Sequence, residues 1–330
     1  MLNFRYHIVS LVAVFLALGV GVIMGSAVID STTIDVLEDQ SAQLQARLDR
    51  AENRVGELDS LLARLEQEQQ LLAEQGSEVL LDRRLEGVPI VIVTAQGADT
   101  EAFGRLRELL VSADAAVLGS IRVRERMNVR EEAERRDLAE AMARSAGLSG
   151  SILRREALEL VARTAAGSTP GPPDPERLAD PALSDLAEAG FVDMEPAEGG
   201  AGTALLTPPP GTHVVVLWSA DAEVSTDDVA LPLVRALAAQ PGTPLVVAEP
   251  TPPEEDDPDD ERPRTLVAAI RAEEALERAV STVDNLDTFQ GRLAAVLAVE
   301  LEGRGDHGHL GTADGAQRLL PAPAEPVPGG

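Results

Sequence analysis

The sequence predicts an α/β chain in which an N-terminal transmembrane helix and a coiled coil precede a mostly parallel α/β sandwich domain. Three patterns predict it: an uncharged run near the start, an unbroken apolar heptad after it, and strand-like apolar runs alternating with amphipathic segments thereafter. They divide the chain into a cytoplasmic tip and anchor (1–30), a coiled coil (31–86), the α/β domain (87–302) and a glycine- and proline-rich flexible tail (303–330).

The anchor comes first. Ile8 to Ile29 carry no charge, and these 22 residues reach about 33 Å as a helix at roughly 1.5 Å per residue, enough to cross a bilayer. Arg5 precedes the run, whereas Asp30, Asp35, Glu38 and Asp39 follow it and no arginine appears until Arg47. The positive-inside rule therefore predicts a single-pass protein with a cytoplasmic N-terminus and the bulk of the chain outside the cytoplasm. Gly25-Ser26-Ala27 would suit signal-peptide cleavage. The apolar run exceeds a usual signal core, however, and the cationic region before it is weak, which favours a retained anchor. Gly21 and Gly25 have the GxxxG spacing of packed membrane helices.

From Ile34 the apolar period becomes seven. One core position, d, holds Leu37, Leu44, Ala51, Leu58, Leu65, Leu72 and Val79; the other, a, holds Ile34, Ser41, Leu48, Val55, Leu62, Gln69 and Gly76. Leu at d with Ile, Val or Leu at a makes the seam of a supercoiled helix pair. Arg47 and Arg54 fall at g, and Glu52 and Asp59 at the following e, so each arginine would face an acid across a parallel pair. The expectation is a parallel homo-oligomer of two or three chains, with an isolated amphipathic helix as the alternative.

Gly87 and Pro89 are expected to end the helix. Val88 to Thr94 then reads as a buried strand, followed by a helix capped by Asp99 or Thr100. A second strand spans Ala115 to Val123, and an arginine- and glutamate-rich helix runs to about Ala146. Helices follow over Ser151 to Ala165 and, beyond a proline-rich loop from Ser168 to Pro175, over Pro181 to Ala189. His213 to Trp218 is a third strand, Asp227 to Ala239 a helix, and Leu245 to Ala248 a fourth strand. Strands alternating with helices predict a sheet covered on both faces. Residues 250–264 carry seven acids among prolines between Glu254 and Glu261 and read as a solvated loop. Thr265 to Ile270 is a candidate strand and Glu273 to Val280 a helix. Asp287 with Gln290 resembles a capping box for a helix over Leu293 to Leu301.

Composition narrows the function. A formal net charge of −28 argues against nucleic acid and against an anionic membrane surface as partners. Every basic side chain is arginine, as GC-rich coding or a saline habitat would give. The absence of cysteine removes disulfides, thiol catalysis and thiolate metal sites. One tryptophan, one tyrosine and five phenylalanines cannot furnish the aromatic girdles of a membrane β-barrel. No lysine serves a phosphate loop, no GxGxxG follows a strand and no GxSxG elbow exists. His213 and Ser219 are separated by a strand, so they do not make a triad. No enzyme and no resident cofactor are therefore expected. Asp221 and Asp284, near strand ends, are placed either to line a crevice or to cap helices. Met127, Met142 and Met194 are too scattered for a copper(I) thioether site. His307 and His309 are the candidate metal ligands, because imidazoles two residues apart can hold copper(II) or zinc weakly; a solvated glycine-rich tail explains the same residues.

The opening segment from Phe4 to Ser26, the Ser281-Thr282-Val283-Asp284-Asn285 segment with Gly291-Arg292 after it, and the terminal Gly308-His309-Leu310-Gly311-Thr312 together resemble the mycobacterial copper transport protein B (MctB) family. The resemblance extends over essentially the whole chain. It implies a cell-envelope protein of copper export or tolerance, channel-forming in an outer membrane, with copper as the transported ion. Two features depart from the family pattern: the acidic run Glu254 to Glu261, and Ala313-Asp314-Gly315 where a further histidine would be expected. A non-transporting coiled-coil envelope scaffold and a small-ligand-binding α/β domain are the competing readings.

Overall fold

The computed structural model describes residues 4–145, 147–168, 181–196, 208–251 and 265–321; within the first helix, only the backbone is described for 4–5, 26–43, 46 and 65–79. The chain divides into two compact units, Met1–Gln69 and Gln70–Gly330.

The first unit is helical. It is formed by α1, whose full span is Phe4–Leu81. Tyr6–Gly25 has a mean hydropathy of 2.7, is long and apolar enough to cross a membrane, and is wholly unburied. The same helix continues through the heptads. Of their core positions, Leu44, Leu48, Val55, Leu58 and Leu62 are each more than half exposed. The side chains of Ile34, Leu37, Ser41, Leu65, Gln69, Leu72, Gly76 and Val79 lie outside the described residues.

The second unit begins with the end of α1. That helix stops at Leu81, earlier than Gly87, because Leu81 and Leu85 enter the apolar core and Arg83 turns left-handed at φ 55°. The backbone N–H groups of Leu85 and Gly87 donate to the carbonyls of Ala113 and Asp114, which fixes the turn.

The elements that follow are β1 (Pro89–Ala95), α2 (Thr100–Ser112), β2 (Ala116–Val123), α3 (Glu132–Ala141), α4 (Gly150–Ala165), α5 (Pro181–Glu188), β3 (Val192–Pro196), β4 (His213–Leu217), α6 (Leu231–Ala238), β5 (Leu245–Ala248), α7 (Leu266–Arg271), α8 (Glu274–Glu277), β6 (Ser281–Val283), α9 (Phe289–Gly303) and β7 (His309–Leu310). The strands form one sheet in the order β3-β2-β1-β4-β5-β6-β7. Every pairing is parallel except that of β2 with β3. All residues of β4, β5 and β6 are buried, whichever face they point to, so both faces are covered. The cover comes from α2 packed with α9 and from α4 packed with α6. The mostly parallel α/β domain expected from the sequence is thus present.

Several elements differ from expectation. The segment read as a strand over Thr265 to Ile270 is instead the helix α7, Leu266–Arg271, with its cap. Thr265 caps it by accepting from the Ala268 N–H, and the Glu249 carboxylate accepts from the N–H groups of Leu266 and Val267. The strand of this region is β6, whose three residues are too few to show a period. Thr288, not Asp287, caps α9, accepting from Gly291 N–H at 2.9 Å. The segment after α9 adds β7 to the sheet. The acidic run Glu254–Glu261, nearly all of the proline-rich loop, and residues 322–330 lie outside the described residues.

Candidate functional site

In open α/β sheets, ligands sit beyond the carboxyl ends of the strands where the strand order reverses. Here β1 lies at that reversal: β2 follows on one side and β4 on the other. A crevice of about 340 Å³ opens there, lined chiefly by Asp99, Ser219, Asp221, Thr251 and Asp287.

The crevice is built from loops tied to one another. Gln96, after β1, donates its side-chain amide to the Glu223 carboxylate, and its backbone carbonyl accepts the Glu223 N–H at 3.0 Å. Gly97 is required at this seam. It has φ +79°, and a Cβ there would lie 2.9 Å from Glu223 Cγ and 3.0 Å from the Glu223 nitrogen. Asn128 braces the same loop, donating to the Glu223 carbonyl and accepting from Ser225 N–H. On the other wall, Thr251 donates both its N–H (2.7 Å) and its hydroxyl (2.8 Å) to Asp287 Oδ1. Asp99 caps α2, its Oδ1 accepting the N–H groups of Glu101 and Ala102. The helix end that would cradle a phosphate in such folds is therefore already occupied by a carboxylate. Ser219 is 6% exposed, and its hydroxyl has no hydrogen-bond partner.

Of the two aspartates the sequence placed at strand ends, Asp221 lines this crevice and Asp284 does not. Asp284 is the centre of a buried lock. Its Oδ2 lies 2.6 Å from Arg271 Nη1, with both side chains about 5% exposed. Its Oδ1 accepts from the N–H groups of Thr312 (2.6 Å) and Ala313 (3.0 Å). Arg271 also donates to Thr282 Oγ1 and to the carbonyls of Leu310 and Asp314. A Cβ on Gly311 would fall 2.2 Å from Asp284 Oδ1, so only glycine fits there. At Gly291 a Cβ would meet the Asn285 carbonyl oxygen at 1.9 Å. Arg292 donates to the carbonyls of Leu286 and Asp287. The two late sequence motifs are therefore the two halves of one hydrogen-bonded unit.

The histidines belong to this unit. His309 is 3% exposed. Its Nδ1 pairs with Thr282 Oγ1 at 2.9 Å and its Nε2 with the Glu277 carbonyl at 3.0 Å. Burial, then the nearby Arg271 charge, pushes its pKa down. His307 Nδ1 lies 2.9 Å from Glu302 Oε1, which also accepts the Ser281 N–H. His307 and His309 are thus held by separate partners. Among the described residues no three His, Asp or Glu side chains come together as a metal site. His213 and Ser219 stand at opposite ends of β4, and the ring nitrogen His213 Nδ1 is buried without a partner.

A family model described as "Copper transport outer membrane protein, MctB" matches residues 1–321. Curated relatives named "Copper transporter MctB", from Mycobacterium tuberculosis and Mycobacterium bovis, are 28% identical to this chain, covering 97% of it and 99% of their own length.

Proposed function

The chain belongs to the MctB family of copper transport outer membrane proteins, and from that premise we propose that it serves copper transport across the cell envelope as a membrane-anchored, self-associating component. Its N-terminus lies in the cytoplasm, Tyr6–Gly25 crosses the membrane, and the α/β domain stands outside. The observation that carries this reading is the apolar stripe of α1. Leu44, Leu48, Val55, Leu58 and Leu62 repeat at heptad spacing, lie beyond the apolar span, and are each 53–61% exposed. An apolar seam of that period is satisfied by a second helix of the same kind.

The described strands form a single sheet with both faces covered, which leaves no lumen inside one domain. Conduction would therefore belong to the assembly of several chains. This same feature favours a second reading, a scaffold that positions other envelope components and moves no copper itself.

Copper content and growth in added copper, measured in cells lacking the gene and in cells complemented with the full chain, separate the two. Copper transport predicts altered copper content that the full chain restores. Unchanged content and tolerance would sink the transport reading and leave the scaffold. A Leu48→Glu/Leu58→Glu chain tests the assembly: it should be monomeric and fail to complement.

A further inference from the structure

Building on the self-association proposed above, we infer that the apolar seam of α1 is covered by a second copy of this chain, parallel and in register, and that the glycine face of the anchor points away from that partner. The seam residues with described side chains are Leu44, Leu48, Val55, Leu58 and Leu62, each 53–61% exposed. They recur at steps of three, four and seven residues along one unbroken helix. The stripe therefore keeps to one side of α1 over about 27 Å at roughly 1.5 Å per residue. A helix with the same stripe fits it, knob into hole.

Charge complementarity sets the direction. Arg47 and Arg54 flank the seam at g, and Glu52 and Asp59 flank it at e. Residues five apart on one helix do not face each other, so the complement of each arginine lies on a neighbouring chain. In a parallel, in-register pair g faces the partner's e five residues on, and both arginines meet acids. An antiparallel pair sets g against g and e against e, which places arginine opposite arginine and acid opposite acid. The anchor sets the height. Tyr6–Gly25 is the apolar span of the same helix, and a slip of one heptad would shift one span against the other by about 10 Å, a third of a bilayer core of roughly 30 Å.

Helical phase then places the small residues of the anchor. At about 100° per residue, Gly21 and Gly25 lie more than about 120° around the axis of α1 from the seam. A partner held at the seam leaves that face outward, and both glycines have open space around them. Asp30, just past the apolar span, takes the d position before Ile34, so the seam begins beyond the membrane. The rod, not the glycine spacing, carries the pairing.

The chain has no cysteine, so single introduced cysteines report contacts without background. Full chains carrying Leu44→Cys or Leu58→Cys, oxidised with diamide in membranes, should each link to a second copy. Only a parallel, in-register pair brings both of these d positions, two heptads apart, within disulfide reach of themselves. Ser60→Cys and Gly25→Cys, on outer faces, should link less than about a tenth as much. In detergent at low salt, Arg47→Glu/Arg54→Glu should weaken association about 10-fold, because every flanking attraction becomes a repulsion. Adding Glu52→Arg/Asp59→Arg should restore it, and Gly21→Leu/Gly25→Leu should associate as the parent chain does. Association without links at Leu44→Cys and Leu58→Cys, links at Gly25→Cys as strong as at Leu58→Cys, or a charge reversal without effect would overturn the inference and leave self-association standing. A monomeric parent chain would overturn both.

Discussion

Asp284→Asn changes no volume, yet it leaves the Arg271 guanidinium as a buried cation facing an amide. Arg271 and Asp284 are 6% and 5% exposed and 2.6 Å apart. Removing one partner of such a pair costs about 3–5 kcal/mol, because the survivor stays desolvated and unpaired. An exposed pair such as Arg278–Glu274, with both side chains 73% exposed, would lose at most about 1 kcal/mol. Arg271 keeps its bonds to Thr282, Leu310 and Asp314 in the variant, and the amide oxygen still accepts from residues 312 and 313. The loss should therefore lie near the lower end, about 3 kcal/mol, against a total of about 5–15 kcal/mol for a domain. Trp218, the only tryptophan, is fully buried in this domain, so urea unfolding followed by its fluorescence reports on the domain alone. Arg271→Met should cost a similar amount, and the double variant clearly less than the sum, because the orphaned charge is gone. If Asp284→Asn loses under about 1 kcal/mol, or the single losses add within about 0.5 kcal/mol, the two residues do not act as a buried pair.

Other outcomes follow from the same geometry. Gly291→Ala should destabilise the domain by about 3 kcal/mol or more in the same urea assay, since backbone must move to admit the Cβ. His213 and His309 both titrate below the ordinary imidazole range of about 6.5, chiefly through burial. The unfolded chain then binds more protons, so stability is full above about pH 6.5 and declines as pH falls below it toward the folded values. Urea midpoints at pH 7.5 and 5.5 should show this drop, and His309→Gln should make it shallower. Asp99→Ala should cost about 1 kcal/mol by leaving the N–H groups of Glu101 and Ala102 without their cap, whereas Asp99→Asn should cost little. Circular dichroism melts would distinguish the two.

The long periodic helix and the continuously apolar strands are legible in the sequence, whereas α7 and the two- and three-residue strands β7 and β6 are not. The uncharged run and the heptads gave α1, and the apolar runs at 88–94, 115–123, 213–218 and 245–248 gave four strands within a residue or two. Residues 265–270 misled because a buried helix of six residues is as continuously apolar as a strand. Its cap lies partly on Glu249, at the far end of the acidic segment. β6 and β7 are two or three residues each, and their pairing depends on side chains remote in sequence, Arg271, Thr282 and Asp284. The crevice was half visible. The position of Asp221 after a strand leaves it either to line a crevice or to cap a helix, while Asp99 reads as a helix cap and Asp287 as another. Both act on backbone N–H groups while also facing the crevice, a dual role that local spacing does not reveal. His309 carried a metal-ligand pattern in sequence, and folding engages both its nitrogens.

The pairing of β7 with β6 also imposes an order on biosynthesis. A ribosome delivers Arg271, Thr282 and Asp284 before α9, and α9 before the residues that answer them. Throughout that interval β6 is an open edge: Arg271, Thr282 and Asp284 can pair with one another, but Asp284 Oδ1 lacks the N–H groups of Thr312 and Ala313. A product truncated ahead of Gly308 would keep that edge open. The arrival of His309 through Asp314 closes that edge and completes the bonds of Arg271 and Asp284.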